Sequence, residues 1–507
     1  MSQTWSGTIR RVFLSDSFLI FAFVLLVLEI SINSIWATDH ATSFMKLDYA
    51  MLSTHSVALG HVSSVPPWTV DDFSYRGQNY SALAPGTPIL ALPFMAAAYA
   101  LAGGFTAYGP ALLFSETFVA ITGALASCLV YKIGTLYFKR PTSVFLGLAF
   151  GLSTTCWPLA TYFFQSDPSA MFVLGAAYFA LRAGRTKGSA ATSTLIAGLA
   201  LGISFAVDYV NAVLIPILLV FVIAKKWEPK RSMVKATLAL ALGTLPGIFL
   251  VGAYNFAIFG TPFTSTEQAY LGRSLLGEFS TPLTYGVALN MVSLSRGILV
   301  FAPLTLLGIM GYWDALKARG FRGDFLLMLA IFLGVLLPYS AWYDPVGGNS
   351  FGPRFLVAGI PFLLVPAGFI VEQARGYKTL LVYATFAAGA VLNGMGAFVN
   401  AVPPTTPFDV SPITNFILPN FGRDNFDSLW AAFLGKQWPI GVFLILSLGV
   451  AVPVLWVEAV KRVDFSPRMP GSNRFASASH ARAASGMRTG ASSSLAARVR
   501  RGGSDSL

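Results

Sequence analysis

Apolar runs separated by short polar intervals are the main pattern of this chain. From the first run, which ends at Trp36, to about residue 458, apolar stretches recur whose length approaches the roughly 20 residues that cross a bilayer as a helix. The short alternating segments of an outer-membrane barrel do not occur in the sequence. The pattern therefore predicts an all-α, polytopic membrane protein with about 12 transmembrane helices. After the first run, they are expected at about 109–131, 142–162, 169–183, 191–207, 212–224, 235–256, 297–313, 325–341, 355–371, 379–399 and 439–458.

One apolar run does not fit this series. Residues 88–102 are apolar but few, and proline and glycine flank them. A crossing at this point would place Lys132, Lys139 and Arg140 outside, against the preference of basic residues for the cytoplasmic side. We therefore predict a helix at the outer interface, within a large first extracytoplasmic loop of residues 37–108.

Composition agrees with a membrane protein, and the positions of the charges orient it. Charged residues make up 11% of the chain, against about 25% in soluble domains. A net charge of +12 would suggest nucleic acid in a soluble protein, but here Lys and Arg cluster where predicted helices leave one side of the membrane. We expect no nucleic-acid partner, cytoplasmic N- and C-termini, and a place in the plasma (inner) membrane with the first run kept as an anchor. Of the 34 basic residues, seven then lie outside: Lys46, Arg76, Arg273, Arg296, Arg354, Arg423 and Lys436.

The end of the chain has a different composition. From residue 464 it is rich in Ser, Ala, Gly and Arg and has almost no large apolar residues. Such a segment cannot bury enough surface to fold alone. We predict a transmembrane domain of residues 1–463 and a disordered, basic cytoplasmic tail of residues 464–507. Cys128 and Cys156 lie in apolar runs and are interpreted as small core residues.

Polar side chains concentrate between the first two predicted spans, and later outer loops add more. A carboxylate can take a proton from an acceptor hydroxyl or amine, and an arginine can hold a phosphate by two parallel hydrogen bonds. The sequence thus indicates chemistry at the outer face of the membrane. The first loop supplies Asp39, His40, Asp48, His55, His61, Asp71, Asp72 and Arg76, and later loops supply Gln165, Asp167, Glu267, Tyr270, Arg273, Arg296, Asp344, Asn349 and Arg354.

Several segments resemble a recurring pattern of bacterial membrane proteins. In this order along one chain, they resemble the GT-C class of membrane glycosyltransferases. The similarity covers roughly residues 15–460 and is nearest to the dolichyl-phosphate-mannose protein mannosyltransferases and the aminoarabinose transferases, which are glycosyltransferase family 39-like. The segments are TDH (38–40), DDFSYRGQNYSALAPGTPILALPF (71–94), YNFAIFGTPF (254–263), SLSRGILVFAPL (293–304) and WYDPVGGNSFGPRFLVAGIPF (342–362).

The resemblance implies transfer of a sugar from a polyprenyl-phosphate donor to an extracytoplasmic acceptor in the cell envelope, which could be a lipid, a glycan or a protein. The class places an acidic catalytic residue in the first outer loop, often just after the first span. That position is Asp39, followed by His40, and Asp72 is the second candidate for the general base. Substrate-binding residues are expected among Arg354, Arg76, Arg296, Tyr80, Asp344, Asn349 and Asp167.

The chain departs from the class pattern at one position. Many relatives carry a lysine in a Tyr-x-x-Lys-Pro-Pro stretch of the first loop, and that lysine meets the donor phosphate. The matching residues 80–85 have Leu83 instead. Another cation must serve if donor binding is retained. Arg354 is the first candidate, because Gly352 and Pro353 would fix its backbone where a span begins.

Two other functions and one cofactor stay open from the residues. A transporter or lipid flippase would carry polar residues at mid-membrane in broken helices, and Glu29 and Glu116 are the clear intramembrane carboxyls. A GT-C-like scaffold without catalysis is the third reading, because of Leu83. No cofactor is certain. The histidines of the first loop could hold a divalent metal, but tight ligand spacing is absent, so separate interfacial histidines are favoured and no metal ligand is assigned.

Overall fold

The structure is a computed structural model. His61 and nearly all of the predicted tail lie outside the described residues. The chain divides into two compact units, Met1–Val457 and Glu458–Leu507. The described part of the second unit is the end of one helix. The structure describes residues 15–32, 38–59, 69–104, 108–183, 185, 190–225, 230–318, 320–400, 402–423, 425–426, 428 and 438–465.

Helices make up nearly all of the regular structure, in agreement with the prediction. The first half of the chain contains α1 Asp16–Ile30, α2 Asp39–Ser53, α3 Gly86–Ala102, α4 Tyr108–Gly134, α5 Arg140–Leu152, α6 Cys156–Leu159, α7 Ser166–Arg182, α8 Ala190–Val207, α9 Leu214–Ala224, α10 Arg231–Phe259 and α11 Thr266–Leu271. The second half contains α12 Leu283–Val292, α13 Ile298–Phe301, α14 Thr305–Lys317, α15 Arg322–Ala341, α16 Ile360–Leu364, α17 Ala367–Gln373, α18 Tyr377–Val399, α19 Leu418–Phe421, α20 Trp438–Leu444 and α21 Val452–Phe465. The described residues also form three 3₁₀ turns (Tyr209–Val213, Leu275–Glu278, Arg354–Leu356), two π turns (Ile413–Ile417, Ile445–Ala451) and two strands, β1 Asp72–Tyr75 and β2 Gln78–Ser81.

The long apolar helices are those of a multi-pass membrane protein. Among the described residues, six helices are long and apolar enough to cross a membrane, and four shorter apolar helices accompany them. The helical, multi-pass architecture is confirmed, while the number of about 12 crossings stays a prediction. The six are Gly109–Gly134, Ala190–Val207, Arg231–Phe259, Arg322–Ala341, Tyr377–Val399 and Pro439–Asp464.

Prolines divide several of the predicted spans. The stretch 355–371 forms α16 and α17 rather than one helix, with Pro361 in the first turn of α16 and Pro366 directly before α17. Proline has no N–H to donate and its ring clashes with the preceding turn. For the same reason the stretch 297–313 is split at Pro303 into α13 and α14.

Small residues allow close packing of two long helices. Helices α8 and α10 approach each other along Gly198, Gly202, Gly243 and Gly247. A Cβ on Gly247 would lie 1.9 Å from the carbonyl oxygen of Gly202, so no larger side chain fits there. In lipid, where apolar burial does little to join helices, backbone approach of this kind supplies van der Waals contact instead.

The first loop folds into α2, a hairpin and α3. Strands β1 and β2 pair in antiparallel register, with Asp72 opposite Ser81 and Phe73 opposite Tyr80. An apolar cluster joins α2, α3 and α4 and includes Phe44, which lies on α2. The helix predicted over 88–102 is present as α3, and its place at the interface stays a prediction.

A buried ion pair fastens the hairpin to α2. Lys46 Nζ lies 2.7 Å from Asp72 Oδ2, with 2% and 1% of the two side chains exposed. Ser43 on α2 also donates to the carbonyl oxygen of Asp71 at 3.3 Å and to Ser81 Oγ at 2.9 Å. These contacts fix the start of the hairpin beside the first turn of α2.

Candidate active site

Segments distant in sequence enclose a cavity of about 600 Å³. The first turn of α2, the start of the hairpin, the end of α8, helix α11 and the two loops after α15 and α18 all contribute to its wall. The ionisable side chains on this wall are mostly acidic. Its carboxyl groups are Asp39, Asp71, Asp208, Glu267 and Asp344, and its cationic or potentially cationic groups among the described residues are Arg354 and His40.

Asp39 lies in the first turn of α2, at the cavity wall. The helix begins there because the Thr38 side chain accepts a hydrogen bond from the Ala41 N–H at 3.0 Å and caps the helix. Burial raises the pKa of the Asp39 carboxyl, and the charges of Asp71 and Asp72 raise it further. A carboxyl with a raised pKa is suited to accept a proton near neutral pH.

His40 connects two other elements of the site. Its Nδ1 lies 3.3 Å from Asp71 Oδ2, and its Nε2 forms a hydrogen bond with Gln165 Oε1. The ring is 5% exposed and packs edge-to-face on Phe44 and Phe164. Burial alone would raise the pKa of Asp71, but the hydrogen bond and charge of His40, with the charge of Arg354, bring it below its ordinary value. Asp71 is therefore a carboxylate held in place by its partner.

Arg354 is a cation that forms no ion pair with a described carboxylate, although Asp71 and Asp344 lie near enough to favour its charge. Its guanidinium lies over the rings of Phe355 and Phe164, with centroid distances of 4.9 and 5.4 Å. Its Nε is buried and has no hydrogen-bond partner. In the part of the chain that is described, no carboxylate forms an ion pair with it. Removing a charge from water without a partner is costly, so this position is suited to an anionic ligand.

Two further carboxyl groups of the wall, Asp208 and Glu267, lie on other segments. The Tyr339 hydroxyl donates to Asp208 Oδ2 at 2.5 Å, and the Tyr339 ring stacks on Phe355 at 4.3 Å. Burial raises the pKa of Glu267 to about 8, helped by the charges of Glu278, Asp208 and Asp71. Glu267 can thus hold a proton near neutral pH and donate a hydrogen bond. Burial raises the pKa of Asp208 as well, and the hydrogen bond from Tyr339 opposes that rise.

A glycine-rich loop after α15 closes the cavity. Asp344 Oδ2 accepts from the Gly348 N–H at 3.0 Å, and Asn349 Oδ1 accepts from the Thr405 N–H at 3.0 Å. The second bond joins this loop to the loop that follows α18. Four of the predicted site residues therefore lie on the cavity wall with His40: Asp39, Asp344, Asn349 and Arg354.

The other predicted site residues lie outside the cavity lining. Asp72 is paired with Lys46 and also accepts from the Thr69 N–H at 3.2 Å, so it is not free to meet an acceptor. Tyr80 is buried against Phe73 in the hairpin. These two residues stabilise the first loop instead of lining the site.

Three further predicted residues also lie elsewhere. Arg76 is exposed at the hairpin turn, with its guanidinium over the Tyr75 ring at 5.1 Å. Arg296 is fully buried and donates to backbone carbonyl oxygens. Asp167 is fully buried in the first turn of α7. None of the three side chains lines the cavity, because each has its contacts elsewhere.

Several lining residues received no role from the sequence. Asp71, Gln165 and Glu267 count in the sequence only as polar residues of predicted outer loops, and Asp208 has no predicted role. A detectable signal existed for two of them. Asp208 follows the apolar run of α8 directly, and Glu267 lies in the capping box of α11, where Ser265 and Gln268 bond reciprocally. Their approach to Asp39 depends on tertiary packing and has no local signal.

A metal centre finds no support among the described residues. No group of three or more His, Cys, Asp or Glu side chains there could hold a metal ion. His55 is exposed at the end of α2, away from His40 on the cavity wall. The metal suggested for the first-loop histidines therefore stays untested with respect to His61.

Three solved structures resemble this one over most of the chain. ArnT from Cupriavidus metallidurans, solved bound to undecaprenyl phosphate, superposes with a TM-score of 0.53 at 15% identity, covering 86% of this chain and 76% of ArnT. Its apo structure gives a TM-score of 0.51 at 14% identity, covering 86% and 74%. The archaeal oligosaccharyltransferase AglB from Archaeoglobus fulgidus, in complex with an inhibitory peptide and a dolichol-phosphate, gives 0.51 at 11% identity. This chain shares their fold.

The similarity confirms the GT-C fold that the sequence motifs suggested. The match to AglB covers 74% of this chain but 56% of AglB, so the chain spans little more than half of that protein. Neither a protein-family model nor a curated protein matches the sequence. At these identities the GT-C fold is established, and the activity has to be argued from the cavity.

Proposed function

We propose that this chain is an integral-membrane glycosyltransferase that moves a sugar from a polyprenyl-phosphate donor to an extracytoplasmic acceptor. The observation that carries the proposal is Arg354, whose guanidinium is on the cavity wall with Nε buried and unpaired. A phosphate oxygen pair fits the fork of an arginine. ArnT was solved with undecaprenyl phosphate and AglB with a dolichol-phosphate, which are ligands of the class proposed here.

Asp39 is the proposed general base. The acceptor hydroxyl or amine gives its proton to Asp39 while its oxygen or nitrogen attacks the anomeric carbon. The bond between that carbon and the phosphate oxygen breaks, and the electron pair leaves with the polyprenyl phosphate. Arg354 stabilises the charge that develops on this leaving group. Displacement in one step inverts the configuration at the anomeric carbon.

Asp39 and Arg354 act from different elements, α2 and the 3₁₀ turn that begins at Arg354, and the cavity between them is large enough for a sugar. Its volume of about 600 Å³ is within the range of ligand pockets. We place the cavity on the extracytoplasmic side of the plasma membrane, with both termini in the cytoplasm. The distribution of Lys and Arg along the sequence supports this orientation.

The test uses the purified full-length protein in detergent with a radiolabelled polyprenyl-phosphate sugar. We expect Asp39→Asn and Arg354→Gln each to lower the transfer rate by about 10²-fold or more, the range for loss of a general base or of an electrostatic stabiliser. Arg423→Gln, at an exposed position, is the matched control for removal of an arginine charge. Melting temperatures of all variants should stay near that of the wild type.

Full activity in Asp39→Asn would reject the assignment of the base. Movement of the lipid across reconstituted vesicles without sugar transfer would instead support a transporter. The acceptor is sought by mass spectrometry of glycans and glycolipids from cells with and without the protein. A species that loses one sugar in the deletion strain identifies the acceptor class.

A further inference from the structure

Arg296 is a buried cation that binds the glycine-rich loop after α15. It is fully buried, and its guanidinium donates to the carbonyl oxygens of Val346 at 3.1 Å, Gly348 at 2.9 Å and Ser295 at 3.2 Å. Burial, together with the nearby charge of Arg354, lowers the pKa of Arg296 to about 10. The group still carries its charge at neutral pH. Its hydrogen bonds to the loop therefore have to offset the free energy that desolvation of the guanidinium costs.

The two carbonyl groups held in the loop flank Gly347. This residue has a φ of 73°, in the left-handed region that favours glycine. A Cβ at Gly347 would lie 3.1 Å from Arg354 Nε and 2.9 Å from the Phe355 ring. The backbone of Gly347 thus packs directly against the guanidinium of Arg354. Arg296 holds the loop by the residues on either side of this contact.

The neighbouring Ser295 holds a second segment. Its hydroxyl donates to the carbonyl oxygen of Thr406 at 3.0 Å, and the Thr406 hydroxyl lies 3.2 Å from Ser295 Oγ. Ser295 and Arg296 thereby bind both loops of the cavity wall, the one after α15 and the one after α18. Neither Ser295 nor Arg296 belongs to the cavity wall.

We infer that Arg296 is a positioning residue for Arg354. It holds the loop so that Gly347 confines the Arg354 guanidinium between the loop and the ring of Phe355, in the orientation that receives the donor phosphate. This inference rests on the proposed function for the identity of the anion. The placement of Arg354 by the loop can be measured without any substrate.

The first experiment labels arginine with phenylglyoxal in the full-length protein and measures modification of Arg354 by mass spectrometry. We expect Arg296→Lys, which cannot donate to all three carbonyls, to raise the labelling rate of Arg354 about 10-fold through local opening of the loop. Gly347→Ala should do the same. Gly77→Ala is the matched control, because Gly77 also has a positive φ, of 77°, and no atom within 4 Å of an added Cβ, and it lies outside the cavity lining. Unchanged labelling in Arg296→Lys and Gly347→Ala would overturn the inference.

The second experiment measures binding of undecaprenyl phosphate to the same variants. We expect Arg296→Lys to weaken binding by about 10- to 100-fold, the usual loss for a displaced binding group, with little change in melting temperature. In an Arg354→Gln background, Arg296→Lys should add less than about twofold, because both changes act on one contact. Independent, multiplying losses in the double variant would overturn the inference.

The two outcomes separate this inference from the proposed function. If the wild type binds no lipid phosphate and transfers no sugar, the proposed function fails, and the labelling of Arg354 still decides whether Arg296 positions it. If the wild type transfers sugar but Arg296→Lys leaves both labelling and binding unchanged, the function stands and the inference fails. Arg423→Lys, at an exposed position, should match the wild type in both measurements.

Discussion

The pair formed by Lys46 and Asp72 allows a quantitative test of whether Asp72 is structural or catalytic. Both side chains are almost completely buried, and their charged atoms are 2.7 Å apart. Removing one partner of such a pair leaves an uncompensated buried charge, which costs about 3–5 kcal/mol. Lys46→Met and Asp72→Asn should each lose about this amount of unfolding free energy. This is a large fraction of the roughly 5–15 kcal/mol typical of a folded protein.

The double variant should recover most of the loss. Lys46→Met with Asp72→Asn leaves no buried charge, and the asparagine oxygen can still accept from the Thr69 N–H, which now donates to Asp72 at 3.2 Å. We expect the double variant to lie within about 1–2 kcal/mol of the wild type, since replacing both partners is often nearly neutral. The coupling energy between the two sites should therefore be about 4 kcal/mol or more. Unfolding by denaturing detergent in mixed micelles, followed by tryptophan fluorescence, measures all three variants.

Activity completes the test. If Asp72 only fastens the hairpin, the folded double variant should transfer sugar at a rate close to the wild type, while Asp39→Asn should not. A folded double variant that is as inactive as Asp39→Asn would show that Asp72 takes part in the chemistry. Single variants as stable as the wild type would refute the energetic reasoning itself.

Three further predictions address the rest of the fold and site. Burial, with the charges of Glu278 and two aspartates, raises the pKa of Glu267 to about 8 from an ordinary value of 4.5, so the stability that this group contributes is complete below about pH 4.5 and is lost as the pH rises toward 8. Glu267→Gln should flatten that part of the profile of melting temperature against pH, and an unchanged slope would contradict the prediction. Gly286→Ala would place its Cβ 1.8 Å from the carbonyl oxygen of Ser340 and should lower the unfolding free energy by about 1–3 kcal/mol or more through overpacking. Gly109→Ala, with open space around it, should not, and equal melting temperatures of the two variants would refute this. Tyr339→Phe removes the donor to Asp208 and should cost about 1–3 kcal/mol, measured by the same unfolding assay; no loss would show that another group satisfies the carboxylate.

The architecture was largely predictable from the sequence, because lipid imposes a strong pattern on it. Apolar runs indicated where helices lie, including α3 over residues 88–102. The limits of the runs were less predictable. Pro303, Pro361 and Pro366 divide stretches that hydrophobicity alone joins into single helices. Hydrophobicity measures the environment of a segment and carries no information on whether its backbone hydrogen bonds continue.

The site was only partly predictable, and the pair Asp71 and Asp72 shows why. Asp71 lies in the turn directly before β1 and Asp72 is the first residue of that strand; the first carboxylate reaches the cavity and the second reaches Lys46. Which of them does so is fixed by the pairing of Asp72 with Ser81 and by the contacts of the hairpin with α2. The same holds for Arg296 and Arg354, which are both loop arginines in sequence. Contacts across 50 residues or more decide which one is buried under the loop and which one faces the cavity.

The resemblance to the GT-C class places Leu83 where many relatives carry a lysine, and this difference bears on the electrostatics of the cavity. Leu83 lines the cavity, so the lost cation is not replaced at its own position. Of the two cationic or potentially cationic side chains among the described lining residues, His40 already faces Asp71 and Gln165. Arg354 is then the group left to meet a phosphate in a cavity with five carboxyl groups. Loss of Arg354 should consequently be more damaging here than in a relative that retains the lysine, and a Leu83→Lys variant should partly restore donor binding to Arg354→Gln, because a second cation would share the leaving phosphate.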